Sequence, residues 1–143
     1  MRKTLPFSVL AVGVFLLMLA GCSTKKLQVQ DAWSRPGQAG GTSAIYFTID
    51  NPLESADTLL GVTSDAAETV EMHLSQMEND VMTMVPQSSV PVAAQSTVKF
   101  EPGGLHIMLI NLKKDLKAGD SFSATLSFDL AGPVTIKITV KEP

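Results

Sequence analysis

The end of the chain alternates apolar and polar residues so regularly that it fits a half-buried β-strand. The run VTIKITV from Val134 to Val140 puts every apolar side chain on one face at the two-residue period of a strand. Short segments rich in β-branched residues, separated by turn residues, occur at 41–51, 58–63, 69–75, 81–85, 96–100, 105–112, 121–128 and 134–141. No long stretch keeps a helical period. The sequence predicts an all-β domain, a Greek-key β-sandwich or small barrel of about eight strands.

The first 22 residues have the organisation of a bacterial lipoprotein leader. Arg2 and Lys3 precede an almost wholly apolar run over 5–19, and the sequence LAGC then ends at Cys22. This resembles a lipoprotein signal with its lipobox, which implies cleavage before Cys22 and acylation of that cysteine. An uncleaved anchor is the alternative, although the run is shorter than the about 20 residues of a spanning helix. Both interpretations place the rest of the chain outside the cytoplasm, on the periplasmic side.

The predicted organisation has three parts: a signal peptide at 1–21, the lipidated cysteine with a short polar tether at 22–26, and one folded domain at 27–143. Removing 21 of 143 residues leaves 122, enough for a single core. Without Arg2 and Lys3, 9 basic face 14 acidic side chains, a net charge of -5 that does not favour nucleic acid. We expect a monomer attached to the membrane only by its lipid. Ser23 stands where an aspartate is associated with inner-membrane retention, so by resemblance to other lipoproteins the outer membrane is favoured in a bacterium that has two membranes.

The cysteine content limits the disulfides and metal ligands that the exported domain can form. Cys22 is the only cysteine of the sequence, and the lipobox uses it. The folded domain therefore has neither an internal disulfide nor a thiolate ligand. A blue-copper electron carrier needs a cysteine ligand and is excluded.

Both histidines of the sequence lie close to methionines. The candidate ligands are His73, Met84, His106 and Met108. Two imidazoles and two thioethers suit Cu(I), whereas a structural zinc site or a hydrolase would require thiolates or carboxylates. Among the other methionines, Met72 is expected in the core, and Met77 and Met82 are spare thioethers that could join the site or recruit a second ion.

Two other interpretations remain open. A histidine on a strand is usually a hydrogen-bonded residue, and methionine is a common core filler, so the chain could be a metal-free structural or interaction lipoprotein. The second interpretation is an enzyme that uses His73 or His106 as a base. However, neither histidine has a serine or aspartate in a recognisable nucleophile motif beside it. We expect no enzymatic activity.

The predicted strands allow the ligands to share one face. In 105–112, alternation places His106 and Met108 together with Ile110 and Leu112. Gly103 and Gly104, before that strand, predict an exposed site near a loop mouth.

The segment 76–79 predicts a four-residue hairpin loop. In that register Ser75 pairs with Asp80, Glu71 with Met84, and His73 with Met82. His73, Met82 and Met84 then share a face, whereas a one-residue slip would turn His73 away.

The spacing of the candidate ligands carries a resemblance to a known family. Ten residues separate His73 from Met84, twenty-one separate Met84 from His106, and one separates His106 from Met108. This pattern, with the flanks DAWSRP, AIYF, VEMH and EPGGLHIML, resembles the periplasmic copper chaperones called PCu(A)C. The resemblance implies a cupredoxin-like β-sandwich that binds one Cu(I) per chain through these four side chains. It also implies delivery toward the CuA centre of cytochrome c oxidase, or to another exported copper chaperone; storage of copper is an alternative.

Overall fold

A computed structural model describes residues 25–143, which fold into β-strands joined by turns without a helix in this range. The strands are β1 (Gln28–Ser34), β2 (Thr42–Asn51), β3 (Asp57–Thr63), β4 (Ala67–Glu78), β5 (Val81–Pro86), β6 (Val90–Val92), β7 (Ser96–Phe100), β8 (Leu105–Leu112), β9 (Ser121–Phe128) and β10 (Gly132–Val140). The described range has no helix long and apolar enough to cross a membrane. The predicted signal peptide and Cys22 lie outside it and stay predictions.

The described strands belong to one hydrogen-bonded sheet that encloses a single core. Their order is β5-β4-β8-β7-β2-β1-β10-β9-β3-β6, and β8 also pairs with β2. The core cluster combines Ile45, Met72 and Ile107 from one half of this order with Leu126 and Ile138 from the other half. The sheet therefore folds over on itself, with β3 in contact with β4. This confirms the all-β sandwich that the sequence period predicts.

Every predicted strand is present, but β1 and β6 were not predicted. β6 is three residues long with Pro91 at its centre, which is tolerated because β6 lies at the edge of the sheet. β1 contains Asp31 at φ 54°, and its pairing with β2 shifts between Gln30 and Trp33. A bulge of this kind interrupts the alternation that would have marked the strand in the sequence.

β4 and β5 form a hairpin with a shorter turn than the sequence predicted. Asn79 and Asp80 have φ values of 50° and 62°, the left-handed pair required by a two-residue type I′ turn. Glu78 therefore pairs with Val81 on either side of this turn. The strands continue to the turn, and the predicted four-residue loop is wrong.

The predicted register of this hairpin is also wrong, although the prediction that His73, Met82 and Met84 share a face is right. Met84 pairs with Ser75 rather than Glu71, and His73 pairs with Pro86 rather than Met82. Each partner differs by four residues from the prediction. An even shift keeps every side chain on its face, so the histidine and the two methionines share a face as predicted.

β8 departs from strict alternation near its end. Asn111 has a φ of 58°, which rotates the strand after Ile110. Leu112 consequently joins the core cluster together with Leu109. The prediction that Leu112 shares the face of His106 is wrong, because a left-handed residue interrupts the two-residue period.

The buried carboxylate of Asp57 connects the start of β3 to the turn between β9 and β10. It accepts hydrogen bonds from the backbone amides of Thr58, Leu130 and Ala131 at 2.7, 2.9 and 2.8 Å. Burial raises the pKa of this carboxyl, but the backbone amides that bond its charged form outweigh burial and lower the pKa overall. The folded state therefore prefers the carboxylate, and the resulting stabilisation is lost as the pH falls through the lowered pKa.

We expect Asp57→Ala to lower the free energy of unfolding by about 1–3 kcal/mol at neutral pH, because three part-buried hydrogen bonds to a charged acceptor are lost. The difference from the parent should shrink once the pH falls below about 3.9, where the carboxyl of the unfolded chain takes up a proton while that of the folded protein, with its lowered pKa, is still charged. Urea unfolding across this pH range measures both effects.

The matched control for this substitution is Asp65→Ala, since Asp65 is exposed and substitutions at such positions usually change stability by about 0.5 kcal/mol or less. Equal losses in the two variants, or a difference for Asp57→Ala that does not change with pH, would contradict the assignment.

Candidate metal centre

The two histidines face each other across neighbouring strands. His73 of β4 pairs with His106 of β8, and their ring centroids are 5.9 Å apart. Paired residues of antiparallel strands project from the same face of a sheet, and the next pair on this face is Glu71 with Met108. Metal–imidazole bonds of about 2 Å on either side of an ion leave ring centroids roughly 5–6 Å apart, so one ion fits between the rings.

The β4–β5 hairpin adds Met84 to the same face. Met84 pairs with Ser75, which lies two residues from His73 along β4. A cleft of about 370 Å³ covers this face and is lined by Met84, His106 and Met108 among others. Three of the four predicted ligands thus border one cleft, and the fourth is the direct partner of His106.

Exposure differs sharply among the predicted ligands. The His106 residue is 4% exposed and the His73 side chain 12%, whereas Met84 is 51% exposed. Gly103 lines the cleft, as the prediction of a nearby loop mouth requires. The imidazoles, however, are not at an open edge: the accessible side of the centre is the methionine side.

A carboxylate fixes the orientation of the His73 ring. Nε2 of His73 lies 2.8 Å from Oε2 of Glu71. Since a carboxylate oxygen only accepts, Nε2 carries the proton and donates it in this hydrogen bond. The other nitrogen, Nδ1, is buried without a hydrogen-bond partner in the described residues and presents a lone pair.

A backbone carbonyl orients the His106 ring in the opposite sense. Nδ1 of His106 donates to the carbonyl oxygen of Gly104 at 3.0 Å. Nε2 is consequently the unprotonated nitrogen, and it is buried without a hydrogen-bond partner in the described part of the chain. An unsatisfied buried polar group costs about 1–3 kcal/mol, so two of them on facing rings indicate a ligand site.

The donor set around these nitrogens favours a soft ion. Residues 25–143 contain no group of three or more His, Cys, Asp and Glu side chains that could hold a metal. The side chains that lie beside both imidazoles on this face include thioethers. Met84 and Met108 supply the thioethers on this face, and thioether sulfur selects Cu(I) over harder cations.

The lining of the cleft also includes an aromatic and a cationic side chain. Tyr46 and Arg35 line it, and the guanidinium carbon of Arg35 lies 5.6 Å from the centroid of the Tyr46 ring. Burial raises the pKa of the Tyr46 hydroxyl, and the nearby Arg35 charge opposes this only in part, so Tyr46 remains a neutral phenol. Trp33 packs against Tyr46 in a tilted arrangement, with ring centroids 4.7 Å apart and 38° between the ring planes.

The groups that orient the imidazoles were not predicted from the sequence. Glu71 lies two residues before His73, and Gly104 lies two residues before His106. Because residues two apart on a strand share a face, the spacing of Glu71 was a usable signal for a hydrogen-bond partner. A backbone carbonyl carries no such signal, since every residue has one.

Comparison with known protein families links the chain to bacterial lipoproteins. A family model described as LpqE-like matches residues 27–140. The protein named "Putative lipoprotein Lxx21020" of Leifsonia xyli subsp. xyli (strain CTCB07) is 31% identical over 145 residues, covering 92% of this chain and 87% of that protein.

Solved structures with the same fold include copper-bound domains. The copper-bound PCuAC domain from PmoF2 is 27% identical, with a TM-score of 0.69 over 82% of this chain and 94% of that domain. The CuI form of DR1885 from Deinococcus radiodurans is 25% identical, with a TM-score of 0.59 over 84% of this chain and 83% of that protein. These likenesses confirm the predicted cupredoxin-like β fold.

The hydrogen bonds predict opposite tautomers for the two metal-free imidazoles. Long-range ¹H–¹⁵N correlation spectra of the neutral rings should show His73 protonated at Nε2 and His106 protonated at Nδ1. Glu71→Gln should weaken the preference of His73 and leave that of His106 unchanged, so the second ring serves as an internal control. The same tautomer at both rings would contradict this geometry.

Proposed function

The chain belongs to the LpqE-like lipoprotein family, and from this membership and the donor set of its cleft we propose that it is an exported carrier of Cu(I). Its likeness to PCuAC domains confirms the resemblance stated from the sequence. The observation that carries the proposal is the pair of buried imidazole nitrogens that have no hydrogen-bond partner within residues 25–143 and lie on facing rings beside the thioether-lined cleft.

In the proposed site one Cu(I) per chain is bound by Nδ1 of His73, Nε2 of His106 and the thioether sulfurs of Met84 and Met108. All four ligands are neutral, which suits a monovalent ion better than a divalent one. Glu71 holds the His73 ring by a hydrogen bond, as carboxylates commonly do behind a metal-bound imidazole. The solved relatives named as copper-bound or CuI forms support copper as the cargo.

The distribution of exposure supports carriage rather than catalysis. An acceptor can approach from the Met84 side, because that side chain is half exposed while the imidazoles are buried. Release then proceeds by replacement of a thioether first and of the imidazoles afterwards. Without a cysteine ligand the folded domain does not provide the electron-transfer chemistry of a blue-copper site.

We propose delivery toward the CuA centre of cytochrome c oxidase, or to another exported copper chaperone. Support comes from the accessible thioether side and from the copper-bound relatives. Anaerobic mixing of the Cu(I)-loaded protein with an isolated CuA-bearing domain tests this step. Copper transfer before any unfolding supports delivery, whereas retention against that domain and other exported acceptors favours storage.

The proposed location is the periplasmic face of a membrane, with the outer membrane favoured and a lipid on Cys22 as the anchor. The lipoprotein name of the Leifsonia relative supports it. Cys22→Ser should abolish lipid labelling, because the acylated thiol is lost. Unchanged labelling would contradict the lipid anchor.

We expect the lipid-free protein, residues 22–143 carrying Cys22→Ala, to bind one equivalent of Cu(I) tightly in anaerobic competition with a coloured chelator. Glu71→Gln should weaken binding by roughly 10- to 100-fold, as removal of an outer hydrogen-bond partner typically does. His106→Ala should weaken it further, because a ligand itself is lost.

The matched control for the copper titration is Met72→Leu. Met72 is buried in the core on the opposite face, and this volume-conserving change should cost less than about 1.5 kcal/mol of stability without changing Cu(I) affinity. No competition by the parent protein would support the metal-free structural interpretation, and equal weakening in all variants would point to a loss of folding.

A further inference from the structure

Where β4 and β5 pair, at residues 73–78 and 81–86, all three methionines lie on one face. Met77 pairs directly with Met82, and Met84 pairs with Ser75 in the same register. All three thioethers therefore project from the face that carries His73. Over residues 73–78 and 81–86, where β4 and β5 pair, the other face carries no sulfur, since its pairs are Leu74 with Val85, Gln76 with Thr83 and Glu78 with Val81.

Packing does not account for this arrangement. Met77 is 65% exposed, and Met82 and Met84 are each 51% exposed, whereas the core methionine Met72 is only 6% exposed. Methionine used to fill gaps in a core is buried, as Met72 is. The hairpin thus holds three thioethers in a row where they remain accessible to solvent.

This row continues into the cleft described above. Met82 and Met84 both line the cleft together with His106 and Met108, and Met77 lies directly across from Met82. Paired residues have Cβ atoms about 4.5–5.5 Å apart. Since a methionine side chain has three rotatable bonds, the sulfurs of Met77 and Met82 can meet at one ion.

We propose that Met77 and Met82 form a second, weaker Cu(I) site on the hairpin, the outer site. From it copper passes, through Met84, to the inner site, which is the proposed site of His73, Met84, His106 and Met108. The proposal rests on the proposed function for the identity of the inner site. Copper stays Cu(I) throughout, and no electron or proton moves: a lone pair of an incoming sulfur or nitrogen replaces that of a departing ligand. The outer site is weaker because it has two thioethers and no imidazole.

Methyl spectra of the lipid-free protein labelled with ¹³C at the methionine methyl groups test the proposal during an anaerobic Cu(I) titration. The first equivalent should shift Met84 and Met108. Further Cu(I) should shift Met77 and Met82 in a separate phase. The buried methyl of Met72 should keep its position throughout and serves as the internal reference.

Met77→Leu should remove the second phase and leave the first equivalent unchanged, because Met77 does not line the cleft. Val81→Ala is the matched control. Val81 is 60% exposed on the opposite face of the same hairpin, so its loss tests for a general effect of apolar hairpin side chains. Both phases should persist in that variant.

The outcomes separate this site from the inner one. Shifts of Met84 and Met108 alone would overturn the second site and leave the proposed function intact. Simultaneous movement of all four methyl groups with the first equivalent would also overturn it, since there would then be one site. Shifts of Met77 and Met82 without those of Met84 and Met108 would support the hairpin site and contradict the inner one.

Discussion

The candidate centre depends on the register between β4 and β8, and packing on the other face of these strands fixes that register. Met72 pairs with Ile107, and the two are 6% and 0% exposed. One residue further along each strand, His73 pairs with His106 on the opposite face. A one-residue slip of β4 would turn His73 to the core and expose Met72. Because burying a large apolar side chain contributes about 1.5–3 kcal/mol, the packing that stabilises the sandwich also holds the imidazoles opposite each other.

The oriented imidazoles and the exposed thioethers lie on different strands of the same sheet. The histidines lie on β4 and β8, inside the strand order, and each ring is oriented by a hydrogen bond from its second nitrogen. The thioethers Met82 and Met84 lie on β5, which is the first strand in that order and is exposed along much of its length. Edge elements with few buried contacts open most easily. A centre with oriented imidazoles on one side and exposed thioethers on the other suits an ion that is bound and later transferred to an acceptor.

The sequence predicted those parts of the fold that follow from the two-residue period. All eight predicted strands are present, and the shared face of His73 and Met84 is correct because it depends only on whether the register is even or odd. The register itself depended on the turn, where Asn79 and Asp80 adopt left-handed conformations that the sequence alone did not reveal. Asn111 likewise diverted Leu112 into the core. The orientation of the rings could not be read from the sequence, because one of the two groups that set it is a backbone carbonyl.

In the proposed loaded state, one Cu(I) lies between two imidazole nitrogens and two thioether sulfurs. X-ray absorption at the copper K-edge, on lipid-free protein loaded with one equivalent, measures this coordination most directly. We expect two nitrogen and two sulfur scatterers around the copper, with the more distant signal of the imidazole ring atoms. A shell without sulfur, or one of sulfur alone, would contradict it.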